Sequence, residues 1–274
     1  MDRRSMLAAC AAAASTLAGC GDSSADGEPS PGTTGTATPT EGSPTQPSTP
    51  LAVRSVDAPG TVEIGQPYTV GFAVENPTDA TRTLDTTVSV RTGGEWRQFE
   101  SISARIPPGT TTIERELAAP RFLGTYRFRI DDPTAEWRVE ATERLLGYGD
   151  RFTTPQGATL AVFGGEFADS YGGGNETVTP PPDQQFLLIR VRFTNQTGEA
   201  VTLPPLGAFR VRAGGETYSV ALNDPGQRVT VDPNNRTQIE LPFLVPTSVS
   251  AADVAVRWAP RYRSGRTVVV WRQG

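Results

Sequence analysis

The sequence predicts an all-β protein built as two antiparallel β-sandwiches, and three observations carry that prediction. From residue 51 onward apolar and polar residues alternate in short runs, as in YTVGFAVEN (68–76) and FLLIRVRFTN (186–195). Gly, Pro, Asn and Asp interrupt these runs at intervals of about ten residues, the pattern of strands joined by turns. No segment sustains the 3.6-residue period of an amphipathic helix.

Residues 1–19 read as an export signal. Arg3 and Arg4 supply its positive charge, and MLAACAAAASTLA is a short, weakly hydrophobic stretch, too brief to span a membrane. RRSML resembles the twin-arginine export motif. LAGC (17–20) resembles the lipobox of lipoproteins, in which small residues admit the chain to a peptidase and the thiol of Cys20 receives lipid. Cys10 lies in the segment that would be removed, so a mature chain beginning at Cys20 has no second thiol with which to form an internal disulfide.

Residues 20–50 read as a disordered, lipid-anchored linker. Between 21 and 50 there are six Pro, twelve Ser or Thr, four acids, no basic residue and only two Ala as apolar side chains. Such a segment has too little to bury to offset its ordering entropy. Its coil-like reach is roughly 30 Å, and an extended polyproline form approaches about 95 Å, enough to lift a folded region clear of lipid headgroups.

The first sandwich is expected over 51–142. Tyr68, Val70, Phe72 and Val74 share one strand face; Tyr126, Phe128 and Ile130 face inward while Arg127 and Arg129 face out; Trp96 and Trp137 are expected in or near the core. Seven or eight strands fit this span. ATERLLGYGD (141–150) breaks the alternation and marks the boundary. The second sandwich is expected over 147–274. Leu187, Ile189, Val191 and Phe193 form an inward row, and AFRVRAGGETYSVAL reads as a hairpin turning at Gly214-Gly215. The segment 164–184, rich in Gly and Pro, reads as a long mobile loop. The two halves parallel each other: FAVENPTDATRTL (72–84) matches VRFTNQTGEAVTL (191–203), and IPPGTTTIEREL (106–117) matches VDPNNRTQIEL (231–241), as if one plan were used twice.

On QQFLLIRVRFTNQTGEAVTL, the FRVRAGGETYSV hairpin and VDPNNRTQIELPFLVP, residues 147–274 resemble the domain-of-unknown-function family 4352 of secreted lipoproteins. Pro233-Asn234-Asn235 stands where that family usually has a Pro-Gly turn. Residues 51–142 resemble adhesion-type immunoglobulin-like modules. These resemblances imply immunoglobulin-like extracellular sandwiches and supply no catalytic residues.

Composition narrows the chemistry further. The chain has no His and no Lys, and all 25 basic residues are Arg. The usual bases that activate Ser or Cys are therefore missing, as are the ligands of structural zinc outside Cys10 and Cys20. No dinucleotide or phosphate-loop motif is present. Asp131, Asp132, Glu136, Asp169 and Glu176 are acids of interest, but their spacing singles out no pair. No catalytic residue, metal site, cofactor or nucleic-acid partner is expected. An Arg-only, acid-leaning chain resembles secreted proteins of halophilic archaea or of high-GC bacteria, the halophilic reading being the one expected.

Charge is unevenly distributed. Residues 184–274 hold 11 Arg against 6 acids, whereas 51–183 hold 12 Arg against 19 acids. Alternation turns Arg190, Arg192, Arg210 and Arg212 outward, and RWAPRYRSGRTVVVWR adds Arg257, Arg261, Arg263, Arg266 and Arg272. If their strands are neighbours, Arg190, Arg192, Arg210 and Arg212 line one cationic face suited to an anionic glycan or envelope protein. Asn175, Asn195 and Asn235 stand in glycosylation sequons, and Asn195 and Asn235 also read as turn residues tolerating positive φ. The expectation from sequence is a non-enzymatic binding or scaffolding protein at the cell surface, lipid-anchored on the outer face of the cytoplasmic membrane. The alternative is a solute- or ion-binding accessory subunit of an envelope transporter.

Overall fold

Alternation becomes strand structure throughout the computed structural model, which describes residues 49–173 and 176–273. The export signal with Arg3 and Arg4, Cys20, most of the linker and Asn175 lie outside the described residues. Eight strands build the first half: β1 (Ala52–Asp57), β2 (Thr61–Glu63), β3 (Tyr68–Asn76), β4 (Arg82–Arg91), β5 (Arg97–Ile106), β6 (Gly109–Leu117), β7 (Gly124–Ile130) and β8 (Ala135–Thr142). They form a three-stranded sheet, β1-β3-β6, and a five-stranded sheet, β2-β8-β7-β4-β5. The faces that alternation turns inward meet in one core of Val70, Phe72, Ile102, Leu117, Phe128 and Ile130. Trp137 stacks on Phe128 with ring centroids 5.2 Å apart. Trp96 departs from expectation: it is half-buried outside this core, with Arg91 and Arg129 guanidinium groups 4.8 Å and 4.6 Å from its ring.

The second half contains β9 (Arg144–Gly147), β10 (Arg151–Thr153), β11 (Thr159–Ala168), β12 (Tyr171–Gly173), β13 (Glu176–Val178), β14 (Gln184–Thr194), β15 (Val201–Thr202), β16 (Phe209–Ala213), β17 (Glu216–Ser219), β18 (Thr230–Val231), β19 (Arg236–Pro246), β20 (Ala255–Trp258), β21 (Arg261–Tyr262), β22 (Gly265–Arg266) and β23 (Val269–Arg272). Sheet β10-β11-β14-β19 faces sheet β17-β16-β20-β23-β9 across a core that includes Ile189, Phe193, Phe209, Phe243, Trp258 and Trp271. Helical structure among the described residues is confined to two three-residue 3-10 turns, Leu206–Ala208 and Ala251–Asp253. The fold is thus all-β and of the sandwich class, as the period-two pattern requires.

Two local readings change. The stretch expected to break the alternation contains β9, which runs parallel to β23 and completes the second sheet. Ile64 and Ala141, from the first half, are buried in the second core, and Arg144 pairs with Glu63 at 2.7 Å. The long loop expected over 164–184 is instead mostly strand: β11 runs to Ala168 and a short β12-β13 hairpin follows, with the Tyr171 ring 5.9 Å from Phe186. A bulge between Val162 and Gly165 re-aims β11. Gly164 adopts φ +77° there, and a Cβ on Gly165 would lie 2.7 Å from the Leu188 carbonyl oxygen. The Gly214-Gly215 turn is as expected, with φ of 57° and 87° closing a two-residue hairpin.

Candidate functional site

Register places the outward arginines, and it corrects the face expected from sequence. Arg190 and Arg192 lie on β14, in the sheet with β19, whereas Arg210 and Arg212 lie on β16, in the opposite sheet. The four therefore do not share a face. Glu240 sits directly opposite Arg190, and Arg192 donates to the Gln238 side chain at 3.2 Å and lies over the Phe163 ring. That face is mixed in charge.

The sheet of β16 is different. Its strands align into two outward rows. One row runs Ser219, Arg210, Arg257, Val270, Leu145; the next runs Thr217, Arg212, Ala255, Arg272, Gly147. Inward residues between them, Val211, Val256 and Trp271, are fully buried. Four of the ten positions are Arg and none is acidic or aromatic; the nearest acid is Asp150, whose carboxylate accepts from the Gly147 amide at 2.9 Å at the β9 end of the second row. Arg210 and Arg257 stand directly opposite one another, an arrangement that costs about 0.2–1 kcal/mol relative to a neutral pair. None of the three ion pairs among the described residues, Arg54–Glu75, Arg129–Asp131 and Arg144–Glu63, includes an arginine of these rows. Arg210 is oriented by donating to the Gly207 and Phe209 carbonyls. The sequence reading groups Arg210 and Arg212 with Arg190 and Arg192, whereas pairing sets them beside Arg257 and Arg272, because outward direction is local whereas sheet membership is not.

The sequons divide. Asn195 is fully buried, and its Nδ2 donates to the carbonyls of Glu199, Val231 and Asp232 at 2.7, 2.9 and 3.2 Å. Its Oδ1 accepts from the Thr197 amide and hydroxyl. The nitrogen that a sugar would occupy is thus enclosed, and Asn195 is a structural plug rather than an accessible acceptor. Asn76 makes the same plug in the first sandwich, donating to Ala80 and Ile106 and accepting from Thr78. The paired motifs seen in the sequence therefore share a three-dimensional purpose. Asn235 is exposed; the positive φ falls on its neighbour Asn234, at 55°.

Among the described residues no group of three or more Cys, Asp or Glu is placed to hold a metal ion. Asp131 is engaged by Arg129 at 3.1 Å. Between the halves, Gly65, Ala118, Arg121, Phe152, Thr154 and Gln156 contribute to an open groove of about 500 Å³. The Thr154 hydroxyl in its wall is buried without a protein partner.

No protein-family profile matches the chain, and a search of curated proteins returned no significant match. Among solved structures, an uncharacterized β-sandwich protein from Clostridium difficile aligns at 12% identity over 49% of this chain and 97% of its own, with a TM-score of 0.34. Red sea bream transglutaminase aligns at 15% identity and TM-score 0.34, over 82% of this chain and 32% of the enzyme. A Salmonella alpha-2-macroglobulin mutant aligns at 11% identity and TM-score 0.25, covering 83% of this chain and 15% of that one. At these scores no activity transfers from any of them.

Proposed function

We propose that this is a non-enzymatic binding protein of the cell envelope, exported through the Arg3-Arg4 signal and held at the outer face of the cytoplasmic membrane by lipid on Cys20. The observation that carries the binding role is the pair of outward rows with four arginines and an acid, Asp150, only at one end. Opposed like charges lower stability unless something else compensates, and none of these arginines pairs with an acid among the described ion pairs. They fit a surface whose compensating charge arrives with a partner. With no His, the chain lacks the side chain that ordinarily exchanges protons near neutral pH, which supports binding rather than catalysis.

Washed envelopes from cells lacking the protein test this reading. Added Cys20→Ser protein, which carries no lipid, is captured in low salt, and Arg212→Glu/Arg257→Glu/Arg272→Glu on that background reduces capture at least tenfold; unchanged capture overturns the binding face. Separately, in high salt that screens the arginines, Cys20→Ser releases the protein from membranes while the unaltered protein stays, and continued membrane partition of Cys20→Ser overturns the anchor. The groove between the halves favours a second reading, a solute-binding subunit, because Arg121, Gln156 and the unpartnered Thr154 hydroxyl line a partly apolar recess.

A further inference from the structure

We infer that the arginine rows on the β17-β16-β20-β23-β9 sheet bind a linear anionic glycan, its chain running across the strands. This rests on the binding role proposed above and names the partner's chemistry.

Shape is the first argument. Five strands at ~4.8 Å spacing make the rows about 19 Å long, and the rows themselves are only ~7 Å apart. A strip of this size falls well short of the ~800 Å² per partner that a stable protein interface needs. An extended polymer fills it without requiring flanking contacts.

Charge spacing is the second. Arg210 and Arg257 are direct cross-strand neighbours, while Arg212 and Arg272 flank Ala255 in the next row. Cationic groups thus recur at one- and two-strand intervals along the strip, a repeat comparable to the rise of successive sugar residues in an extended chain. Guanidinium forks suit carboxylate and sulfate groups, which accept two parallel hydrogen bonds.

Residue type is the third. Neutral sugars are commonly held by aromatic faces, and none of the ten positions is aromatic. Ser219 and Thr217 at one end offer hydroxyls to a glycan, while the small Ala255 and Val270 leave room for sugar rings between the charged side chains; at the other end the Asp150 carboxylate fills the space beside Gly147 and marks the limit of the strip. Charge, not stacking, must select the ligand.

The test uses full-length Cys20→Ser protein, so that no lipid contributes, on immobilised polygalacturonate in low salt, with neutral dextran, polyglutamate and anionic phospholipid vesicles as parallel surfaces. Polygalacturonate should bind at least tenfold more tightly than dextran, polyglutamate or the vesicles. Long oligogalacturonate should compete and monomeric galacturonate should not. Arg212→Glu/Arg257→Glu/Arg272→Glu should abolish binding, the corresponding Gln variant should weaken it at least tenfold, and Arg190→Glu/Arg192→Glu on the opposite sheet should change it less than twofold. Matched thermal unfolding of the variants excludes loss of fold. Equal binding to dextran, tighter binding to polyglutamate or vesicles, or insensitivity to the triple reversal overturns the inference. If polygalacturonate fails while envelope retention still depends on the three arginines, the glycan assignment falls and the binding face stands; if retention is also indifferent to them, both fall.

Discussion

Replacing Asn195 by Ala removes the plug that joins the end of β14 to the β18-β19 connection. The side chain is fully buried and makes five hydrogen bonds, three as donor and two as acceptor. Truncation leaves the Val231 carbonyl, a buried acceptor, and the Glu199 carbonyl without this donor, at about 1–3 kcal/mol for each acceptor that water cannot reach. It also leaves a small void and frees the turn at Thr197. The expected cost is about 3–4 kcal/mol, a large part of the ~5–15 kcal/mol that holds a folded protein together. At ~2–4 °C per kcal/mol for a fold of this size, the melting temperature should drop by roughly 6–16 °C. Asn195→Asp should be worse at neutral pH than in mild acid. A carboxylate there would face three carbonyl oxygens, which raises its folded-state pKa above the unfolded value of about 3.9. Whatever stability the protonated form retains is present below that unfolded value and is lost as pH rises through the folded one. Urea and thermal unfolding of both variants measure this. A cost below about 1 kcal/mol for Asn195→Ala would refute the plug.

Gly165→Ala should cost about 1–3 kcal/mol by thermal unfolding, because the new Cβ would press on the Leu188 carbonyl at the β11 bulge. Burial pushes the Tyr148 hydroxyl, which donates to the Val254 carbonyl at 2.8 Å, up to about 12, and it also raises Tyr68, Tyr126 and Tyr262. Stability from these neutral phenols is complete below the unfolded value of ~10 and is lost as pH rises through the higher folded values. Phenolate absorbance of these four should therefore appear together with loss of circular dichroism; their ionisation near pH ~10 in an intact fold would contradict the burial. If the protein carries N-linked sugar, glycopeptide mass spectrometry should find it on Asn235 and never on Asn195; a modified Asn195 in folded protein would contradict the enclosed amide.

Much of this architecture is legible in single strands. FLLIRVRFT shows which side chains enter the core because successive residues of a strand point to opposite faces. The parallel stretches around Asn76 and Asn195 suggest one plan used twice, but not what the two asparagines do. The acceptors of Asn76 and Asn195 include Ile106 and Val231, 30 and 36 residues downstream, so the network exists only once distant turns are brought together. The misread segments have a common cause as well. LLG at 145–147 looks like a break because its partner, β23, lies more than a hundred residues away, and the Gly-rich stretch from 164 looks like a loop because Gly164 and Gly165 serve a bulge within β11 and Gly172 and Gly173 the short strand β12.

By itself the sequence determined the all-β class, the inward rows, the Gly214-Gly215 turn and the outward direction of the arginines. These follow from period-two geometry and local backbone preference. Only the tertiary structure decided that Arg210 and Arg212 stand with Arg257 and Arg272 rather than with Arg190 and Arg192. Strand pairing joins residues far apart in the chain, and a charged surface depends on those neighbours as much as on the side chains themselves.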